Sequence, residues 1–162
     1  MSITKHFSQI GAPLVNVRWS WGAHGRCGRT VVRAWKDESI DAKGGRYIRL
    51  INHAAYEQKQ SHPGYRERQR HIEGLRQGNP TYAIILEVKD PLAKPRTIKI
   101  FDRGGMWELG DLISVEGDDY ARLVRYVSLA EFLDQGPATY PANRMRRLSA
   151  TAAVRWGTTS RT

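Results

Sequence analysis

Arg18-Trp19-Ser20-Trp21-Gly22-Ala23, followed by Val31-Val32-Arg33-Ala34-Trp35, is the stretch on which the reading of this chain turns. Two tryptophans stand two residues apart beside an arginine, and a third, Trp35, lies on the next expected strand. In an extended segment, residues i and i+2 point to the same side. Flat rings on one side of a basic protein can stack on nucleobases, each stack contributing about 1–3 kcal/mol. The competing reading is burial, because Trp is highly buried on average. Arg18 inside the group, with Gly22 and Gly25 allowing close backbone approach, tips the group as a whole toward ligand contact.

The surrounding composition points the same way. The chain has 162 residues, with 26 Lys and Arg against 16 Asp and Glu, for a net charge of +10. That length suits one domain with a sizeable core. The basic excess fits a polyanionic partner, of which nucleic acid is the commonest. Most of the cations are Arg, whose planar fork suits phosphates and base edges. The single Cys27 excludes an intramolecular disulfide and a thiolate-rich metal site, and it suits a reducing cytoplasm. No apolar run approaches the roughly 20 residues of a membrane span, and the N-terminus carries no signal core. The chain therefore reads as soluble and cytoplasmic.

Working outward, Ser2 caps a short helix bearing Ile3, Phe7 and Ile10 and stopped by Gly11. Residues 12–17 read as extended, 24–28 as a glycine-rich turn, 29–36 as a strand, 41–45 as a turn and 47–51 as a strand. A polar loop over 52–62 precedes the best helix, 63–77, opened by Pro63 and ended by Gly78. Its apolar side is thin, comprising Tyr65, Ile72 and Leu75, while Arg66, Arg68, Arg70 and Arg76 take much of the rest. Strands follow at 82–88, 97–101, 106–109, 112–115 and 120–127, and Ser128 caps a last helix over 129–133. The expected fold is α+β, a small barrel with two or three flanking helices. Residues 1–135 form the domain. Residues 136–162 form a flexible basic tail, in which Arg144, Arg146 and Arg147 are candidate phosphate contacts. From 137 onward the tail carries five Arg and no acid, half the net charge.

Candidate chemistry is sparse. The five histidines fall into no metal motif, and neither a phosphate-binding glycine loop nor a serine nucleophile elbow is present; no metal or cofactor is expected. Glu87-Val88-Lys89 matches half of a metal-dependent nuclease core but lacks the second carboxylate. Asp37 and Glu38 have a better claim. An acid beside stacked rings can accept from an exocyclic amine, or Asp37 can act as the general base of a base-excising glycosylase. The competing reading is a pair of solvated turn acids. Arg66 and Arg70, four apart, share a helix face that can track phosphates.

The run 12–23 with 31–37, supported by Tyr65-Arg66-Glu67-Arg68 and His71-Ile72-Glu73, resembles the PUA-like or EVE-like segments fused to HNH nucleases in modification-dependent restriction systems. The resemblance covers about residues 1–133. It implies a strongly bent barrel that reads a modified base flipped into an aromatic-walled pocket. On that resemblance Trp21 and Trp35 are the walls, Asn16 and Asp37 the polar readers, and Arg18 and Trp19 further contacts. No HNH motif follows, so the resemblance does not carry cleavage over: a lone reader, a subunit beside a nuclease partner, and a member with base chemistry of its own all fit. Three functions result: a DNA-binding reader of a flipped, modified base in phage defence or restriction, a DNA glycosylase, or an RNA-binding module.

Overall fold

The chain is seen in a computed structural model that describes residues 1–25 and 28–136. The Ser2 hydroxyl accepts the Lys5 N–H at 3.2 Å and opens helix α1 (Ile3–Gln9), after which Gly11 turns the chain at φ +74°. Strands β1 (Gly22–His24) and β2 (Thr30–Trp35) follow, then a 3₁₀ turn at Lys36–Glu38, β3 (Ser39–Ala42) and β4 (Gly45–Ile51). Helix α2 (Pro63–Arg76) starts on a proline at its first position, where the missing N–H costs nothing. Strands β5 (Thr81–Val88), β6 (Ile98–Phe101), β7 (Gly105–Val115) and β8 (Asp118–Ser128) lead into α3 (Leu129–Asp134), capped by Ser128.

These elements form an α+β fold around one mixed sheet in the order β1-β2-β5-β7-β8-β4-β3, with β6 also paired to β5. Among the described residues β2 and β5 run parallel, and the other strand pairs are antiparallel. The sheet buries apolar residues on both faces. On β2, Val31 joins one cluster while Val32 and Ala34 join the other, and on β5 Tyr82, Ile84 and Leu86 alternate with Ala83 in the same way. The first cluster is covered by Phe7 and Ile10 of α1 and Phe132 of α3. The second gathers Ile48, Leu50 and Ile51 of β4, Leu109 of β7 and Ala121 of β8 around Tyr65 and Ile72 of α2. Strands far apart in the sheet order meet in this second cluster, so the sheet curls around it and α2 fills part of its inner face.

The curl brings β2 beside β4, yet no ladder joins them and the sheet does not close into a barrel. Arg68 occupies that seam. Its guanidinium donates to the carbonyls of Leu50 at 2.9 Å, Arg33 at 2.8 Å and Trp21 at 2.8 Å. A side chain from α2 thus satisfies the Leu50 and Arg33 carbonyls in place of a neighbouring strand, and adds a second donor to the Trp21 carbonyl, which already accepts the Arg33 N–H at 2.8 Å.

Several expected boundaries move. The turn expected over 41–45 is a two-residue hairpin turn at Lys43 and Gly44, both at positive φ, so β3 and β4 extend almost into it. The strands expected at 106–109 and 112–115 are one strand, because Gly110 and Asp111 fall at a register shift against β8 rather than at a reversal. The segment expected to be extended as far as Val17 instead turns at Asn16: the Ser20 N–H bonds the Asn16 carbonyl at 2.9 Å. The basic tail, including Arg144, Arg146 and Arg147, lies outside the described residues, as do Arg26 and Cys27. No helix among the described residues is long and apolar enough to cross a membrane.

Candidate nucleic-acid interface

The tryptophan segment is held by α2. The buried Glu67 carboxylate accepts the Ser20 hydroxyl at 3.0 Å and the Trp21 N–H at 2.8 Å. The Ser20 oxygen in turn accepts the Asn16 N–H at 2.9 Å. Asn16 uses its own side-chain oxygen on the Arg18 N–H at 2.9 Å, the local bond that makes Asn a turn residue. It therefore shapes the turn that presents Arg18. Because 16–20 is a turn, Trp19 and Trp21 do not share the side of one extended strand.

Trp21 is half-buried on the second cluster, with the Arg68 guanidinium 6.0 Å from its ring. It meets Tyr56 edge-on at 5.0 Å and lies nearly parallel to His62 at 5.8 Å, while Tyr56 stacks on Tyr65 at 5.2 Å. Tyr65 continues into a polar chain: its hydroxyl lies 2.7 Å from His53 Nδ1, and His53 Nε2 lies 2.9 Å from Asp119. Trp35 packs instead on the first cluster, with the Arg96 guanidinium 4.7 Å from its ring. The two rings expected to wall one pocket thus pack against different faces of the sheet.

Asp37 and Glu38 sit at the rim beyond Trp35, and both are ion-paired. Arg96 bonds Asp37 and also reaches Glu38 at 2.7 Å, and Glu38 pairs with Arg49 at 2.5 Å. Arg49 extends the chain to Asp118 at 3.3 Å. This network ties the β2–β3 turn to β4 and to the segment before β6. Arg66 and Arg70 are exposed on α2 and make no salt bridge among the described residues, on the helix that holds the turn bearing Arg18. Behind them His71 is buried. Burial first, then the nearby charges of Arg68, His24 and Arg70, push its pKa down to about 2.

A cleft of about 500 Å³ opens where the inner face of the sheet runs beyond α2. Ile48, Ile85 and Leu123 form an apolar floor continuous with the second cluster, and Ile100, Phe101 and Trp107 add to the walls. Trp107 is steadied by an edge contact to Tyr126 at 5.9 Å, whose hydroxyl donates to Asp102 at 2.8 Å. One side of the cleft is polar. Arg46 donates to the Ser39 hydroxyl at 3.1 Å, which donates to the Lys36 carbonyl at 2.8 Å, and the Lys36 ammonium meets Glu87 at 2.9 Å. The Lys36 bond holds the Glu87 carboxyl below its ordinary range.

No family model, curated protein or solved structure matches this chain.

The cleft residues escaped the sequence reading. Trp107 stands two before Leu109, a same-face pair on one strand, but the Gly110-Asp111 pair looked like a strand end. Glu87, weighed as half a nuclease site, contributes to the cleft rim. Among the described residues no group of three or more His, Cys, Asp and Glu side chains is placed to hold a metal.

Proposed function

We propose that this protein binds nucleic acid as a PUA-like module and takes a base, flipped from a duplex, into the cleft beside Trp107. The observation that carries the reading is an aromatic-walled, apolar-floored cleft with a polar side, of a size typical for ligand sites, on a chain of net charge +10. Extruding a base costs a few kcal/mol, and stacking on Trp107 at about 1–3 kcal/mol offsets much of it. The exposed Arg18, Arg66 and Arg70 supply sequence-independent phosphate contacts. The strongly curled sheet with its flanking helices is in keeping with a PUA-like domain. The resemblance of 12–23 and 31–37 to modified-base readers favours DNA with a modified base, and a nuclease partner would perform any cleavage. Trp21 and Trp35 then belong to the scaffold around the site.

The test is retention of unmodified, methylated and glucosylated duplexes and of RNA, followed by alkaline cleavage to reveal abasic sites. Preferential retention of one modified duplex, lost in Trp107→Ala, supports a reader. Abasic sites would move the assignment to base excision, and a preference for RNA would move it to an RNA module. Equal retention of all duplexes by the wild type and Trp107→Ala removes the base-reading proposal.

A further inference from the structure

The polar side of the cleft has a donor and acceptor pattern that selects among bases. Arg46 is exposed and uses one N–H on Ser39, leaving the other N–H groups of its fork available. Ser39 cannot compete for a ligand, since its hydroxyl already accepts from Arg46 and donates to the Lys36 carbonyl. Glu87 has one oxygen on Lys36 and, among the described residues, no hydrogen bond to the other, with Lys99 as a further nearby cation. Asp102 is occupied, accepting the Gly104 N–H at 2.8 Å and the Tyr126 hydroxyl at 2.8 Å. The groups left over are therefore the two-pronged donor of Arg46 at one end of this hydrogen-bonded row and, at the other, the second Glu87 oxygen beside the remaining N–H groups of Lys36; Trp107 lines the same cleft.

A guanidinium fork needs two adjacent acceptors. Guanine offers O6 and N7, and this pairing is the commonest specific Arg contact to a base. Adenine sets its amine donor beside N1 and N7 and leaves N3 alone, and thymine separates its two carbonyls with an N–H, so neither offers the fork two adjacent acceptors. Guanine also turns N1–H and the exocyclic amine outward on its adjoining edge, where a carboxylate accepts both. Cytosine has adjacent acceptors but only one amine and a smaller face to lay on Trp107.

We infer that the cleft is a guanine site, with Arg46 bonding O6 and N7, the free Glu87 oxygen accepting from the edge that carries N1–H and the amine, and Trp107 stacking on the ring. The inference rests on the base-binding reading above and names the base.

The experiment uses the full chain and a fluorescein-labelled mixed-sequence single strand of 20 nucleotides, read by anisotropy, with GMP, AMP, CMP and TMP as competitors. GMP should displace the strand at concentrations at least about tenfold below the other three, the scale of one bidentate contact. Arg46→Lys, which keeps the charge and loses the fork, and Glu87→Gln should each bring GMP to the level of AMP. Thermal melts confirm that both variants fold. Four equal competitors, or a preference for CMP, with the strand still bound, would overturn the guanine assignment and leave nucleic-acid binding standing. A GMP preference seen by direct calorimetry without strand binding would keep the guanine site and remove the nucleic-acid reading. Loss of both removes both.

Discussion

The guanidinium of Arg68 donates to the carbonyl of Leu50 at 2.9 Å, across a seam where two strands lie side by side without pairing. Two further carbonyls, of Arg33 and Trp21, complete its buried surroundings. Removing the fork takes this donor from the Leu50 and Arg33 carbonyls, at about 1–3 kcal/mol for each that finds no other, while the Trp21 carbonyl keeps the Arg33 N–H. Relief of a desolvated charge returns part of that. Arg68→Ala should therefore destabilise by on the order of 3 kcal/mol in urea unfolding. Arg68→Lys should recover less than half, because a point donor cannot reach three acceptors. Full recovery by Lys would show that the seam requires charge and not geometry.

Gly64 lies in the first turn of α2, where alanine is ordinarily the better residue by about 1 kcal/mol. Here a Cβ would fall onto the Trp19 carbonyl oxygen and 2.9 Å from Trp21 Cε2. Gly64→Ala should lower the melting temperature instead of raising it, and shift the tryptophan emission as the 16–21 turn is displaced. A stabilised variant would mean that this turn is not packed against the helix.

His71 gives the fold an acid limit. Its folded pKa of about 2 lies far below the ordinary 6.5. Between those values the unfolded chain binds a proton that the native chain refuses, so stability is complete above pH 6.5 and falls as pH drops. The slope approaches about 1.4 kcal/mol per pH unit. His6, also buried with its pKa lowered first by burial and then by Arg103, acts in the same direction. His71→Leu should flatten the decline in unfolding free energy from pH 6.5 to 5, a window above the ordinary range of the carboxylates. An unchanged slope would show that His71 charges within the folded protein.

Asp37 and Glu38 differ in what they hold. Asp37 is partly exposed and Arg96 keeps a second partner in Glu38, so Asp37→Asn should cost under about 1 kcal/mol. Glu38 is less exposed and bonds both Arg49 and Arg96; Glu38→Gln should cost more, at about 1–3 kcal/mol. The same Asp37→Asn variant tests chemistry. A glycosylase with Asp37 as general base would keep binding and lose turnover by roughly 10²–10⁴-fold, whereas a reader that uses Asp37 only in the Arg96 pair should bind as before.

Salt reports on the tail. The segment 137–162 holds five Arg and no acid, and each phosphate it neutralises adds about 0.9 to the slope of log affinity against log salt on duplex DNA. Truncation after Gly136 should flatten that plot. An identical slope would assign the tail to a partner other than DNA.

The sequence carried its local signals well. Ser2, Pro63, Gly78 and Ser128 mark helix ends by the capping chemistry found in the structure. The apolar run of β5 reads as a strand because it is covered on both faces. Glu67 and Arg68 lie outside the thin apolar side of the helix yet are buried, because their partners, four backbone groups and the Ser20 hydroxyl, lie 18 to 47 residues away. No local period reports such pairings. The cleft was hidden for a similar reason: its lining comes from six strands and a turn, and only the curl of the sheet assembles it.

The strand order also bears on synthesis. β4 reaches β5 only through β7 and β8. Until residue 128 has left the ribosome, the nascent chain can pair only two sheet patches, β1-β2-β5 with β6 and β3-β4, which α2 bridges without a strand ladder and which keep bare edges. Such edges invite pairing with other chains. The final hairpin therefore acts as the clasp of the molecule, and shortening the chain within it should yield an aggregating product in place of a smaller domain.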